Sequence, residues 1–257
     1  MIAFSSLANP AVFLRLTRRV LPWLGAASAL LIGLGLYLVF FVSPADYQQG
    51  ETVKIMYIHV PAAWLAMFAY VTMTSASLGV LVWRHPLADA AQKTAATLGA
   101  AFTFICLVTG SLWGKPMWGT FWVWDARLTS MLILFLLYLG LIALRQTMED
   151  SPRGARIAAI MTLVGFVDIP IIKYSVDWWN TLHQPASVFR AGGPTIAASM
   201  LWPLLIMALG ATALFLALHL MAIRNEILRR RVARLALQVA AAGEDGGASG
   251  QLLEPAQ

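Results

Sequence analysis

Long apolar runs dominate the pattern of hydrophobic and polar positions along this 257-residue chain. At about 1.5 Å per helical residue, each run crosses or nearly crosses a bilayer core roughly 30 Å thick. Backbone groups in lipid must be paired within their own segment, so the runs predict α-helices. We expect an all-α fold, a polytopic bundle with short outer loops. Its six membrane helices run from about Leu21 to Val42, Ile58 to Trp83, Thr94 to Leu112, Leu128 to Leu144, Ile157 to Ile172 and Thr195 to Met221.

The fifth predicted span differs from the others, because Asp168 and Pro170 interrupt it after a short apolar stretch. A carboxylate is expensive to bury in lipid. We therefore expect Asp168 to face protein or a wet cavity near the outer boundary of the membrane.

The composition also indicates a membrane protein. Hydrophobic residues make up 60% of the chain and charged residues only 12%, against about 25% charged residues in soluble domains. The single cysteine, Cys106, lies inside an apolar run, so no disulfide can form within the chain. The sequence also lacks the Cys-x-x-Cys-His motif that attaches haem in c-type cytochromes.

The formal charge of +6 is informative mainly through the position of the basic residues, since Lys and Arg concentrate on the cytoplasmic flanks of membrane helices. Thirteen of the 18 Lys and Arg residues flank one set of span ends. This asymmetry predicts cytoplasmic termini, and a lipid bilayer rather than nucleic acid as the partner of the basic residues. The five residues on the opposite loops are Lys54, Lys115, Arg127, Lys173 and Arg190.

Both ends of the chain lie outside the predicted bundle. The basic start resembles a signal peptide, but the first apolar run exceeds the roughly 7–15 residues of a signal sequence, so we expect a retained span. We divide the chain into a membrane domain, 1–234, and a disordered cytoplasmic tail, 235–257. The basic stretch 225–234 is interpreted as a helical continuation that rests against anionic lipid.

The ten tryptophans are unevenly distributed. An aromatic belt places tryptophans at both membrane boundaries, but only Trp23 and Trp83 lie at the predicted inner boundary. The asymmetry favours a binding site over a belt. The eight tryptophans at or near the outer boundary are Trp64, Trp113, Trp118, Trp122, Trp124, Trp178, Trp179 and Trp202.

The segment 113–127 is the richest in tryptophan. Positions 118, 121, 122 and 125 follow an i, i+3, i+4, i+7 spacing, which predicts one face of a short helix. Such a flat aromatic face, edged by a carboxylate, suits either a large planar apolar ligand or the bilayer interface, and the pattern favours the ligand. The segment holds Trp113, Trp118, Trp122, Trp124, Asp125 and Arg127.

Two of the four histidines lie on the outer side with these tryptophans. His85 and His219 are on the cytoplasmic side and are interpreted as ordinary interfacial residues. His59 opens the second span, and His183 lies in the last outer loop. Haem iron accepts one imidazole on each face, while apolar and aromatic walls bury the macrocycle. We therefore predict a haem site with His59 and His183 as axial ligands of the iron.

The haem propionates need cations or hydrogen-bond donors. Arg127 is the outer cation nearest the tryptophans; Lys54, Lys115 and Arg190 are alternatives. For Asp125 two interpretations remain open: it orients a donor of the aromatic face, or it pairs with Arg127. Without a Cys-x-x-Cys-His motif, the haem is expected to be b-type, non-covalent and transient.

The stretch from Trp118 to Asp125, Trp-Gly-Thr-Phe-Trp-Val-Trp-Asp, resembles the tryptophan-rich signature of the haem-handling protein superfamily. With six spans and a flanking histidine pair, the chain resembles the haem exporter protein C family over nearly its whole length. The stretches 168–172 and 175–184 also resemble that family's last outer loop. The haem lyase subunit and the synthases of the superfamily are longer and have more spans.

The resemblance implies a role in c-type cytochrome maturation at the bacterial inner membrane. The family binds haem on the periplasmic face and promotes its loading onto a membrane-tethered periplasmic chaperone. It works beside ATP-binding-cassette subunits and a small membrane subunit. The resemblance assigns the axial ligands to His59 and His183. It assigns the wall that presents one haem edge outward to Trp113, Trp118, Trp122, Trp124 and Asp125.

The sequence has no Gly-x4-Gly-Lys-Ser/Thr motif, so ATP hydrolysis by a P-loop must come from another subunit. Holding haem near a chaperone is positioning rather than group chemistry, so we do not expect an enzyme. One rival hypothesis is a transporter of haem or another small molecule, which needs polar groups near mid-membrane, where only Asp168 is a candidate. Another is a metalloenzyme with Asp125 or Asp177 as a third ligand.

Overall fold

The chain crosses the membrane six times with α-helices, as predicted. The computed structural model describes residues 9–148 and 151–251, with side chains up to residue 242, and six helical segments within it are long and apolar enough to span a bilayer. A 3-10 turn, Glu51–Ile55, precedes the second helix. The helices are α1 Pro10–Phe41, α2 Met56–Trp83, α3 Pro86–Trp118, α4 Ala126–Thr147, α5 Pro152–Gly165, α6 Asp168–Trp178 and α7 Ala198–Gln251.

The fifth span is made of two helices, α5 and α6, joined by a turn at residues 166–167. Asp168 begins α6 and is only 8% exposed, so it faces protein as expected. Pro170 lies in the first turn of α6, where a helix tolerates a residue without an N–H group. The predicted interruption is therefore a helix break.

The helices extend beyond the predicted apolar runs, because capping residues start them in polar sequence. Helix α1 begins at Pro10 rather than near Leu21: the Asn9 side chain accepts a hydrogen bond from the N–H of Ala11, 2.9 Å away. Helix α3 begins at Pro86, where Nδ1 of His85 accepts from the N–H of Leu87 at 3.2 Å. His85 thus has a local structural role.

Small residues bring the central helices close together. Ala66 and Ala69 of α2 are fully buried, as is Ala95 of α3, and small side chains let helix backbones approach closely in membranes. Gly99 leaves room for the Tyr138 phenol, whose hydroxyl donates to the Ala66 carbonyl at 2.7 Å. This contact joins α2, α3 and α4 into one core.

Charged side chains connect α3, α4 and α7 at the bundle end opposite the tryptophan-rich segment. Arg145 is 3% exposed and lies 2.9 Å from Asp89, which also pairs with Arg230 at 2.8 Å. Glu226 accepts from Arg230 at 2.7 Å and from Lys93 at 3.1 Å. The basic stretch 225–234, predicted to rest on lipid, is thus partly bound to other helices.

Helix α7 differs from the prediction for the C-terminal tail. The segment from residue 235 was expected to be disordered, but α7 continues to Gln251, and residues 252–257 lie outside the described part of the chain. Residues 233–242 contain five alanines, the residue with the highest helix propensity. Extending an existing helix is also cheaper than nucleating one.

Candidate functional site

The segment after α3 turns sharply and is not helical. Helix α3 ends at Trp118, and Gly119 follows with φ of 76°, a left-handed conformation that favours glycine. Residues 119–125, here called the tryptophan loop, form no helix. The predicted short helix with positions 118, 121, 122 and 125 on one face is therefore wrong. The i, i+3, i+4, i+7 spacing instead falls in a loop that leads to the start of α4 at Ala126.

Asp125 has two defined partners. Its Oδ1 accepts from the N–H of Leu128 at 2.7 Å, which caps the start of α4. Its Oδ2 lies 3.2 Å from Nδ1 of His183. Within the described residues Asp125 forms no ion pair with Arg127. Among the described residues, neither predicted partner of Asp125, a donor of the aromatic face or Arg127, is bound to it; its side-chain partner is a histidine.

His183 lies in residues 179–197, here called the histidine loop, which form neither helix nor strand. Its backbone N–H donates to the Thr181 hydroxyl at 2.8 Å, and its ring meets the Trp118 indole edge-on with centroids 4.9 Å apart. Burial lowers the pKa of His183 from 6.5, although Asp125 partly offsets this by its hydrogen bond and charge. The ring is therefore neutral at pH 7 and donates its Nδ1 proton to Asp125.

His59 lies in the first turn of α2, with its ring directed towards α3. Its Nδ1 is 3.1 Å from the Cys106 carbonyl oxygen and 3.2 Å from the Thr109 hydroxyl. A carbonyl can only accept, so Nδ1 of His59 carries a proton, and the neutral ring has its lone pair on Nε2. The Trp113 indole packs edge-on against the ring at 5.7 Å.

One face of α3 positions both histidines. Cys106, Gly110, Gly114 and Trp118 are spaced by four residues, about 6 Å of helix rise each, and so lie along one face. A Cβ on Gly110 would come within 2.9 Å of the His59 ring, and one on Gly114 within 3.0 Å of the Trp118 indole. The His59 ring thus rests on this face directly, whereas the ring of His183 rests on it through Trp118.

The predicted tryptophans do not form one flat surface. Trp113 donates from Nε1 to the Gln49 side chain at 2.9 Å. Trp122 and Trp124 pack against each other at 77° with centroids 5.5 Å apart. Trp122 is partly buried, whereas Trp124 is 75% exposed. These side chains surround the histidines at different angles. In the histidine loop, Trp179 packs on Trp178 of α6.

Arg127 joins α4 to α6. Its Nε donates to the Ser175 hydroxyl at 3.1 Å, and its Nη2 donates to the carbonyl oxygens of Ile172 and Lys173. Among the residues that the structure describes, Nη1 of Arg127 has no hydrogen-bond partner, so its donors remain for an anionic group. Lys54, an alternative cation, is paired with Glu51 at 2.7 Å.

Three polar residues at this site were not predicted. Gln49 fixes Trp113, Thr109 contacts the His59 ring and Ser175 binds Arg127. Gln49 and Thr109 carry no sequence motif, and Ser175 lies at the start of the stretch 175–184 but had no predicted role; each contact joins segments far apart in the chain.

The tryptophan loop and the histidine loop meet in an open depression of about 310 Å³. Among the described residues, no cluster of three His, Cys, Asp or Glu side chains could hold a metal ion, and both Asp125 oxygens are already engaged. The side chains at this site therefore do not match a three-ligand zinc site. Two neutral imidazoles with Nε2 available, set among indoles, fit the ligation of haem iron. The depression is lined by Val123, Trp124, Asp125, Asn180, Thr181 and Leu182.

Comparison with known proteins identifies the family. The model of the heme exporter protein C family matches residues 3–238. Heme exporter protein C of Bradyrhizobium diazoefficiens is 64% identical over 91% of this chain and 89% of its own. The protein of that name in Escherichia coli K12 is 47% identical over 81% and 84%. A putative cytochrome c biosynthesis ccmC-like mitochondrial protein of Marchantia polymorpha is 50% identical over 68% and 74%. The chain therefore belongs to the heme exporter protein C family.

Proposed function

We propose that this protein handles haem for the maturation of c-type cytochromes and binds it between His59 and His183. One observation carries the proposal: Nδ1 of each ring is engaged by an oxygen acceptor, which leaves each Nε2 lone pair for the iron. Such second bonds fix the tautomer and orientation of metal-ligating histidines. The names of the relatives, which refer to heme export and cytochrome c biosynthesis, support the cargo and the pathway.

The remaining site residues surround the cargo. Trp113, Trp118, Trp122 and Trp124 supply apolar surface, and the Nη1 donors of Arg127 remain for a propionate. No covalent attachment is expected, because the chain has no Cys-x-x-Cys-His motif and Cys106 is buried behind His59. The bound haem is thus b-type and transient.

The second part of the proposal is transfer. The site lies at the bundle end away from most of the basic residues, which corresponds to the periplasmic face of the bacterial inner membrane. There the depression between the two loops is open, and the exposed Trp124 lies at its edge. A membrane-tethered periplasmic haem chaperone takes the cargo there, and an outward haem edge, which we assign to the vinyl groups, is positioned for it. ATP-binding-cassette subunits and a small membrane subunit complete the assembly.

The ligand assignment is tested with three alanine variants. His59→Ala and His183→Ala should each lower the haem that copurifies with the chain and shift the remaining absorption spectrum from low spin towards high spin. His85→Ala is the matched control, because it removes only a helix cap. An unchanged low-spin spectrum in both site variants would reject the assignment. Transfer is tested by mixing haem-loaded protein with the soluble domain of the chaperone and following the haem by its absorption.

A further inference from the structure

An apolar cleft of about 370 Å³ lies between α2 and α7, and its lining includes neither His59 nor His183. The two helices meet at one end of the cleft, where the Phe68 ring packs edge-on against the buried Phe215 with centroids 5.5 Å apart. Phe68 lies twelve residues after the start of α2 at Met56, about 18 Å along the helix. That depth is near the middle of a bilayer core roughly 30 Å thick. From this contact the cleft extends towards the bundle end that holds the histidines, within the leaflet here called the outer leaflet.

The walls of the cleft are mostly large apolar side chains that remain exposed. Trp64 is 45% exposed, Trp202 64% and Leu209 61%, so the cleft opens to the surrounding lipid. Helices that pack against each other in membranes carry small residues at the interface, which let the backbones approach closely. Among the lining residues only Ala208 and Thr212 are small. The cleft therefore suits a flexible apolar chain better than another helix.

A turn of the histidine loop lies at the outer end of the cleft. The N–H of Thr195 donates to the carbonyl oxygen of Ser187 at 2.9 Å, which closes the turn. Within the turn, Phe189 lines the cleft and packs edge-on against Trp64 with centroids 5.8 Å apart. Arg190 follows Phe189 directly, and its side chain is exposed. A hydrogen-bonded turn thus places an arginine at the mouth of the cleft.

The charge beside the cleft indicates which lipid it suits. Helix α2 has no charged residue, and the segment 179–223, which holds the histidine loop and the lining part of α7, has only Arg190. In the described part of the chain, the Arg190 side chain has no hydrogen-bond or ion-pair partner. A guanidinium binds phosphate through charge-assisted hydrogen bonds. Because these segments offer no carboxylate to the ammonium of a zwitterionic headgroup, the charge favours a lipid with a net negative headgroup.

We propose that the cleft between α2 and α7 binds one acyl chain of an anionic phospholipid of the outer leaflet, and that the phosphate of this lipid pairs with Arg190. Residues 1–8, 149–150 and 252–257, which lie outside the described part of the chain, adjoin helix ends at the opposite end of the bundle. The occupant is therefore not one of these segments. The proposal is independent of the haem site, because it uses neither histidine and no residue of the tryptophan loop.

Brominated lipid tests occupancy of the cleft, because bromine quenches the fluorescence of an indole that it contacts. The haem-free, full-length chain is reconstituted in phosphatidylethanolamine vesicles with increasing fractions of phosphatidylglycerol that is brominated in its acyl chains. The difference between wild type and a Trp64→Phe, Trp202→Phe chain, which keeps the aromatic wall, gives the fluorescence of the cleft. Its quenching should saturate at a low fraction of phosphatidylglycerol. The fluorescence of Trp83, which is 72% exposed at the other end of α2 and is isolated with Trp83→Phe, should fall in proportion to that fraction.

Two glutamine variants test the headgroup contact. Arg190→Gln should raise the fraction of phosphatidylglycerol that half-quenches the cleft about fivefold, the effect of one basic residue near an anionic membrane surface. Lys173→Gln is the matched control, since Lys173 is an exposed cation of α6 at the same end of the bundle and does not line the cleft. Its value should equal that of wild type. With the bromine moved to phosphatidylethanolamine in phosphatidylglycerol vesicles, saturation at a low fraction should disappear.

Four outcomes would overturn the proposal. Quenching of the cleft in proportion to the brominated fraction, as at Trp83, would mean that ordinary boundary lipid fills it. Equal saturation by the two brominated lipids would reject an anionic headgroup. An unchanged half-quenching fraction in Arg190→Gln would reject this residue as the phosphate ligand. Protection of the cleft from brominated lipid in the complete native assembly would mean that a helix of another subunit occupies it.

Discussion

Replacing Asp125 with asparagine separates the two tasks of this residue. In Asp125→Asn the side-chain oxygen can still accept from the N–H of Leu128, and asparagine is as good a helix cap as aspartate. The amide nitrogen that replaces Oδ2 is a donor, so it cannot accept the Nδ1 proton of His183. The variant should therefore keep α4 intact and lose the orientation of His183, one of the two proposed axial ligands.

The size of the effect follows from the type of contact that is lost. Removing the outer partner of a metal-bound histidine costs about 10–100-fold in affinity, or about 1.4–2.7 kcal/mol. We expect Asp125→Asn to weaken haem binding by this factor while the thermal unfolding midpoint of the haem-free chain stays close to wild type. Haem titration followed by absorption gives the affinity. Ser151→Ala, which removes the cap of α5 and touches no site residue, is the control for a pure capping effect.

The pKa of His183 provides a second measurement, which should not change if Asp125 is only a helix cap. Burial lowers the pKa of this imidazole from 6.5, whereas Asp125 raises it. In the haem-free chain the midpoint should thus lie below 6.5, and it should fall further in Asp125→Asn, because the stabilising carboxylate is gone. The folded state binds fewer protons than the unfolded state just below pH 6.5, so stability falls as the pH falls through this range. NMR of ¹³C-labelled histidine measures the midpoint.

Two results would refute this reasoning. Haem affinity unchanged in Asp125→Asn would mean that the carboxylate is only a helix cap. An unchanged titration midpoint of His183 in Asp125→Asn, compared with wild type, would mean that the hydrogen bond between the two side chains does not form in solution.

Three further changes test other parts of the structure. Gly110→Ala should displace the His59 ring by a few tenths of an ångström and lower haem retention, whereas Gly140→Ala, with no atom within 4 Å of the added carbon, should not. Trp118→Ala should lower bound haem more than Trp23→Ala, and equal losses would restore the belt interpretation. Asp89→Asn leaves the buried guanidinium of Arg145 without its charged partner. The free energy of unfolding in detergent should therefore be about 3–5 kcal/mol lower, whereas the haem spectrum of the folded fraction should not change.

The number of spans could be predicted because lipid imposes a simple requirement on length and polarity. The same criterion misplaced the ends of the helices. Apolar runs mark the part of a helix that lies in the membrane, but α1 begins about eleven residues before the run, at a polar cap that hydropathy does not detect. The long exposed end of α7 was missed for the same reason, since alanine and arginine favour helix without being apolar enough to extend the run.

The tryptophan loop shows where a periodic pattern misleads. Helical spacing over eight residues is weak evidence when a glycine lies inside the segment and an aspartate ends it. Gly119 adopts positive φ and ends α3, and Asp125 caps α4, so the local signals for a helix end and a helix start were both present. They outweigh the spacing, because a helix across this segment would give up both caps.

The composition of the site could be predicted better than its connections. The sequence singled out His59, His183 and Asp125 by residue type and by side of the membrane. It left the partner of Asp125 open, because that contact joins residues 58 positions apart and depends on how the histidine loop folds. Gly110 and Gly114 carried no signal either, since a glycine in a membrane helix is common and its role depends on the ring that rests on it.

The two histidines, equivalent in the sequence, are held in different ways. His59 belongs to a helix, and its ring is fixed against α3 by a backbone carbonyl that cannot move without the helix. His183 belongs to a loop without regular structure, and side chains alone, those of Asp125 and Trp118, hold its ring. Fixing both rings in advance lowers the entropy cost of binding. The contacts that hold His59 are more rigid than those that hold His183. In the proposed binding and release of haem, His183 would be the more adjustable of the two contacts, and it lies on the loop that borders the open depression.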